Sequence, residues 1–333
     1  MSNQFKRILL STVVIGSLGL TACDDQPPVD DYDKSACRAV SPDFDYTNLE
    51  NLNMANFPTS NDVWSSLQDM VDFGPRHTAS QADLNFLDYL EVRMEKMGLE
   101  SITRDPVRVS GHNIMSHYSA PRSGLTYHLS GILPGMTDEV IVLGVHVDGQ
   151  NSIEENGVII LLEIAEYLAT VPKECRRHTF ALVFANGHMA STDSSEAGGW
   201  ASNHPDIMDR AVGFVSPEHV GFLYSPGNPI PFQFMATHGN LQDKSNQLIA
   251  DMKLPDYEVS TLGIGTGGAW MLVSGGKPVV GGMTAQIGAF FAGLFDPDVG
   301  MEAVDKDIFY DTTVLFARLT GYMDGKSADE LRK

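Results

Sequence analysis

Apolar residues recur at helical spacing in two stretches before residue 100 and gather into near-continuous runs after residue 139. Val63, Leu67 and Val71 lie a turn apart ahead of Gly74-Pro75, which predicts a helix capped by Ser60 or Asn61. Leu84, Leu87, Leu90, Met94 and Met97 predict a second helix, capped by Ser80 and stopped by Gly98. Residues 140–145 read VIVLGV and residues 180–185 read FALVFA, as strands buried on both faces would. Further strands are expected over 212–215 and 278–283, and helices over 157–169, 241–252 and 303–323. Strands alternating with helices predict an α/β three-layer sandwich with a mostly parallel central sheet of about eight strands. The strands ending at Val145, Ala185 and Val215 should lie together in its centre.

The start of the chain breaks this pattern. Lys6 and Arg7 precede an apolar run over 8–20 that ends in Leu20-Thr21-Ala22-Cys23. The order resembles the leader and lipobox of bacterial lipoproteins, which implies removal of residues 1–22 and a lipid on Cys23. Asp24 resembles the inner-membrane retention signal of enteric bacteria, which implies the periplasmic face of that membrane. Residues 23–58 carry Asp24, Asp25, Asp30, Asp31 and Asp33 with four prolines and no sustained apolar period. They read as an acidic tether, with its far end free to pack on a single domain over 59–333. Cys37 and Cys175 remain after processing, either bridged in an oxidising envelope or as buried thiols.

Over its 333 residues the chain is 43% hydrophobic, which excludes wholesale disorder. A net charge of −21 argues against a nucleic-acid partner. Three cysteines exclude a disulfide scaffold and a cysteine-cage zinc site.

In such sheets ligands bind beyond the carboxyl ends of the strands, and three strand ends carry polar clusters. His146-Val147-Asp148 follows VIVLGV and leads to Glu154-Glu155-Asn156-Gly157. Asn186-Gly187-His188 follows FALVFA, and Glu218-His219 follows AVGFVSP. Imidazole with carboxylate suits zinc better than magnesium or calcium.

The segments DFGPRHTAS (72–80), FLDYLEVRMEKMGLE (86–100), VIVLGVHVDG, NGVIILLEIAEYL, FALVFANGH and EHVG occur in an order and spacing that resemble the zinc exopeptidases of clan MH. That family includes bacterial aminopeptidases and glutaminyl cyclases, and the likeness spans roughly residues 62–323. It implies that His146 is a zinc ligand, that Asp148 orients it from behind, and that Glu218 is an acidic ligand of the same ion. The family's bridging aspartate falls at Ile153, so Glu154 or Glu155 takes its place. Of the family's consecutive glutamates, a general base and a ligand, this chain has Gly187 and His188. The family's last ligand is a histidine before the C-terminal helix; residues 285–303 contain none, and Asp296 and Asp298 are the side chains that could stand in.

The resemblance implies a metal set drawn from His146, Glu155, His188 and Glu218 around one zinc, or a rearranged pair. Whichever of Glu154 and Glu155 is not a ligand would be general base, and His219 or His188 would stabilise an oxyanion or bind metal. The leading reading is an envelope-anchored, aminopeptidase-type hydrolase of peptides. The alternatives are a noncatalytic descendant that binds a peptide or protein partner, and a one-zinc transferase like the glutaminyl cyclases. Gly263, Gly265, Gly267 and Gly268 lack a P-loop lysine and read as a turn. Trp200, Trp270, Phe290 and Phe291 read mainly as core, and Ser194-Ser195-Glu196 has no nucleophile-elbow context.

Overall fold

The three apolar runs of the middle of the chain become adjacent strands. The computed structural model describes residues 34–41, 43–112, 121–194, 196–225, 227–254, 257–261, 266–284 and 296–333. The leader, Cys23, Asp24, the acidic stretch to residue 33, Gly263, Gly265, Phe290 and Phe291 lie outside the described residues.

In chain order the strands are β1 (Glu100–His112), β2 (Gly124–Leu133), β3 (Val140–His146), β4 (Thr179–Ala185), β5 (Ala190–Thr192) and β6 (Ala211–Pro217). A short hairpin, β7 (Leu223–Ser225) with β8 (Asn228–Pro229), comes before β9 (Phe232–Ala236), β10 (Tyr257–Ser260) and β11 (Val279–Thr284). All but the hairpin join one nine-stranded sheet, ordered β10-β9-β11-β6-β3-β4-β2-β1-β5. The block β11-β6-β3-β4 is parallel, and β2, β1 and β5 extend it antiparallel. The fold is thus the expected mixed α/β sandwich, with β6, β3 and β4 neighbours at its centre.

Every residue of β3, β4 and β6 is buried, and alternate side chains feed two separate cores. Ile141, Leu143 and Val145 face one core, with Phe184 and Leu161. Val140 and Val142 face the other, with Trp200, Phe214 and Trp270, so both tryptophans are core residues.

The helices are α1 (Lys34–Val40), α2 (Ser60–Asp72), α3 (Gln81–Lys96), α4 (Gly157–Thr170), α5 (Glu196–Asn203), α6 (Pro205–Arg210), α7 (Gly239–Met252), α8 (Thr266–Val273), α9 (Lys306–Asp324) and α10 (Ala328–Leu331). Thr59, rather than Ser60 or Asn61, caps α2: its hydroxyl accepts from the Asp62 amide while Asp62 reaches back to the Thr59 amide. Ser80 caps α3 as expected. Gly267 and Gly268, read as part of a turn, fall inside α8.

From Lys34 onward the segment read as tether is packed. Cys37, Tyr46, Leu49 and Phe57 are buried in the larger core, and the Asn53 amide donates to Tyr167 Oη at 2.9 Å. A disulfide joins Cys37 to Cys175, 138 residues on. Closing so long a loop restricts the unfolded chain, so Cys37→Ser/Cys175→Ser should lose about 2–4 kcal/mol in equilibrium unfolding. An unchanged midpoint would mean that the apolar contacts alone hold the strap.

Candidate functional site

Three chain segments meet beyond the carboxyl ends of β3, β4 and β6, and the start of α4 closes the fourth side. Two contacts set that closure. A Cβ on Gly157 would sit 1.9 Å from the Pro217 carbonyl oxygen, so only glycine lets α4 begin against the end of β6. The Asn156 side chain then bridges to both backbone groups of Val220, at 2.8 Å each. Glu154 is brought beside Glu218 and His219 as a result. The turn before it is built by Asn151, whose Oδ1 accepts from the amides of Ile153 and Glu154.

His146 is fully buried, and its Nδ1 lies 3.0 Å from the backbone carbonyl of Asp148. A proton on Nδ1 donated to that carbonyl leaves the Nε2 lone pair facing the site. Nε2 is 3.0 Å from Glu218 Oε1 and 3.9 Å from Glu154 Oε1. The expectation that the Asp148 carboxylate orients this ring needs correction, because its Oδ1 is 4.0 Å from Nδ1. That carboxylate instead accepts from the Thr78 hydroxyl and from the amides of His188 and Met189, at 3.2 and 2.8 Å. It fixes the loop after β4, and its backbone fixes His146.

His188 stands on the rim. Its ring stacks on His146 with centroids 4.2 Å apart, its Nε2 is 3.8 Å from Glu154 Oε1, and its Nδ1 is 2.6 Å from Glu196 Oε1. Burial lowers its basicity, but Glu196 and then Glu154 outweigh that and push its pKa up to about 10. Its neighbour Gly187 has φ +101° and leaves no carboxylate where the resembled family has its base. His219, next to Glu218, turns in with φ +49°; its Nε2 is 3.3 Å from Glu218 Oε1 and 3.5 Å from Glu154 Oε2.

Glu154 and Glu155 part company at the backbone. Glu155 has φ +54°, which sends the two side chains in different directions. Glu155, expected as a ligand or base, instead pairs with Arg76, and both side chains are fully buried. Arg76 is also held by the carbonyls of Met70, Gly74 and Asn151. Burial pushes the Glu155 carboxyl up to about 8 against the pull of Arg76. Its Oε2 fills the space above Gly149, where any Cβ would collide with it.

Glu154 is the residue that faces the imidazoles. It is wholly buried, and neither carboxylate oxygen has a hydrogen bond among the described residues. Burial would raise its carboxyl, yet His219, His146 and His188 together hold it below the ordinary range. Glu218 is treated the same way: burial is outweighed by His219 and His146, which keep its carboxyl far below normal. Two three-donor groups have their ligand atoms within 4.8 Å of one another, His146-Glu218-His219 and His146-Glu154-His188. Asp296 and Asp298 do not join them. Both are exposed, and the Asp296 carboxylate accepts from the Asp298 amide in its own turn.

The supporting polar shell escaped the sequence. Asp83 in α3 is fully buried and accepts from Thr126, from Asn186 Nδ2 and from the Ala79 amide. Burial, with Asp148 nearby, pushes its carboxyl up to about 7. His128 accepts the Asn186 amide at Nδ1, and burial lowers its pKa to about 4. Of Asp83, Thr126, Asn186 and His128, only Asn186 lies in a segment that the strand-end reading quotes. The 72–80 segment provides the rest of the support, with Arg76 on Glu155 and Thr78 on Asp148.

No protein-family model matches the chain, and no curated protein matches it in sequence. Its architecture is that of glutaminyl cyclases and zinc aminopeptidases. A glutaminyl cyclase from Porphyromonas gingivalis, 14% identical, superposes with a TM-score of 0.64 over 80% of this chain and 98% of that one. A zinc aminopeptidase from Bacillus subtilis, 8% identical, gives 0.60 over 83% of this chain and 98% of its own. The LapA aminopeptidase of Legionella pneumophila, 12% identical, gives 0.60 over 80% and 72%.

Proposed function

We propose that this chain is a single-zinc hydrolase that removes residues from peptide N-termini at the bacterial envelope. The observation that carries the reading is Glu154: a buried carboxylate with no hydrogen bond among the described residues, facing three imidazole nitrogens at 3.5, 3.8 and 3.9 Å. Leaving such a group unsatisfied is costly, and a cation among these donors would offset that cost. Mixed nitrogen and oxygen donors suit zinc. Both three-donor groups draw on His146, whose Nδ1 is engaged by a backbone carbonyl, so Nε2 alone is left to meet an ion and supports one ion rather than two.

His146 and Glu218 would hold the ion, which supplies Lewis acidity toward a carbonyl and makes a bound water more acidic. Glu154 lies beside these donors, 3.9 Å from His146 Nε2. There it takes a proton from the attacking water at a carboxylate oxygen and returns it to the departing amine nitrogen. His188, braced by Glu196 and 18% exposed, donates from Nε2 to the oxygen that gains charge during attack. Anchoring through a lipid on Cys23 accords with the leader, and the disulfide accords with an oxidising compartment.

A second reading, cyclisation of N-terminal glutamine, draws on the single ion and on the likeness to glutaminyl cyclases. Assay of the zinc-loaded chain against aminoacyl and N-terminal glutaminyl substrates decides between them. Aminoacyl turnover that Glu154→Gln abolishes is the expected result. Turnover of glutaminyl substrates alone would favour the cyclase, and zinc binding without turnover would favour a noncatalytic peptide binder.

A further inference from the structure

We propose that His219 is the third protein ligand of the ion, making the set His146, Glu218 and His219 and leaving Glu154 free to handle the water. The inference rests on the metal-dependent reading above and assigns the part that reading leaves open. Tetrahedral zinc with bonds of about 2.0–2.1 Å places neighbouring ligand atoms about 3.3 Å apart. His146 Nε2 to Glu218 Oε1 is 3.0 Å, and His219 Nε2 to Glu218 Oε1 is 3.3 Å. The competing group is wider, at 3.9 Å from His146 to Glu154 and 3.8 Å from His188 to Glu154. His188 is also tied back through Nδ1 to Glu196, and its ring lies over the face of His146, 25° from parallel.

The backbone points the same way. In extended chain the side chains of residues 218 and 219 would leave on opposite faces. The left-handed φ of +49° at His219 breaks that alternation and turns both into one fully buried pocket. Left-handed backbone is uncommon outside glycine, and histidine, like asparagine and aspartate, adopts it more readily than other residues, so the turn places His219 at modest cost. Two histidines and one glutamate with an open fourth position is also a set that zinc hydrolases use. His219 thereby supplies the ligand that residues 285–303, which hold no histidine, cannot.

The test is calorimetric titration of zinc into the metal-free chain, comparing wild type with His219→Gly, His146→Ala, His188→Ala and Glu154→Gln. Glycine is chosen because it keeps the left-handed backbone without strain. His219→Gly should weaken zinc by more than about 100-fold, beyond what outer partners of a ligand account for. Its metal-free melting temperature will fall, since Glu154 and Glu218 lose an imidazole 3.5 and 3.3 Å away, so the titrations are run below the melt of each variant and the affinity is the readout. His188→Ala and Glu154→Gln should each weaken it by less than about 100-fold, within the range of outer partners. Wild-type affinity in His219→Gly alongside weak binding in His146→Ala would overturn the assignment of His219 and leave the metal reading intact. No zinc binding by the wild type would overturn both.

Discussion

Replacing His146 by alanine should abolish stabilisation of the chain by zinc. An ion that binds only the folded form at a hundredfold its dissociation constant adds about 2.7 kcal/mol to the unfolding free energy. His146 belongs to both three-donor groups, so its loss leaves neither with three protein donors. The metal-free variant will also unfold more easily, since Glu218 loses its 3.0 Å imidazole partner. The informative quantity is therefore the zinc-dependent increment, measured by urea unfolding of each form with and without the metal. An increment in His146→Ala equal to that of wild type would remove His146 from the site. Asp148→Asn should keep most of the increment, because the carbonyl that meets Nδ1 is backbone and survives the substitution.

Arg76→Met should be the most destabilising single change in the supporting structure, by about 3–5 kcal/mol, as expected when one partner of a buried ion pair is removed. Glu155 would then sit fully buried beside Glu154 without its cation. The pH dependence has a definite sign. Burial already raises the folded pKa of Glu155 to about 8, from an ordinary value of 4.5. The folded form thus holds a proton that the unfolded chain gives up, and stability falls as pH rises from 4.5 toward the folded pKa. Without Arg76 the folded pKa moves higher, so the deficit of the variant should widen above about pH 8, where the wild-type carboxyl has ionised and the variant's still holds its proton. Arg76→Met/Glu155→Leu should recover most of the loss, since apolar pairs of similar volume substitute well for buried ion pairs. Urea unfolding of both variants and wild type at pH 6 and pH 9.5 checks each part, and a deficit that shrinks between those two values would contradict the account.

The centre of this fold was legible because it is buried on both faces. β3, β4 and β6 read as unbroken apolar runs, and the polar residues immediately after them stood out for that reason. The sheet's other half was not. β1 carries Arg104, Asp105 and Arg108 around the buried Val107 and Val109, and β2 begins on two exposed residues, so a half-solvated pattern hid both strands. Within the site, sequence brought His146, His188, Glu218 and His219 to one place but left Glu154 and Glu155 open. A single backbone angle at Glu155 decides between them, and neighbouring glutamates look alike in sequence. Arg76, Thr78, Asp83 and His128 were illegible because each meets its partner across at least 43 residues of chain.

The parallel block has a consequence for when the proposed zinc site can form. A nascent chain that has emerged only through residue 210 contains His146, Glu154 and His188 but neither Glu218 nor His219. β6, which delivers those two, pairs with β3 across 71 residues and is flanked on its other side by β11, made later still. Such long-range parallel pairing forms slowly and late. Tight uptake of zinc should therefore follow release of nearly the whole polypeptide, and metal occupancy would report a completed sheet rather than a folded half.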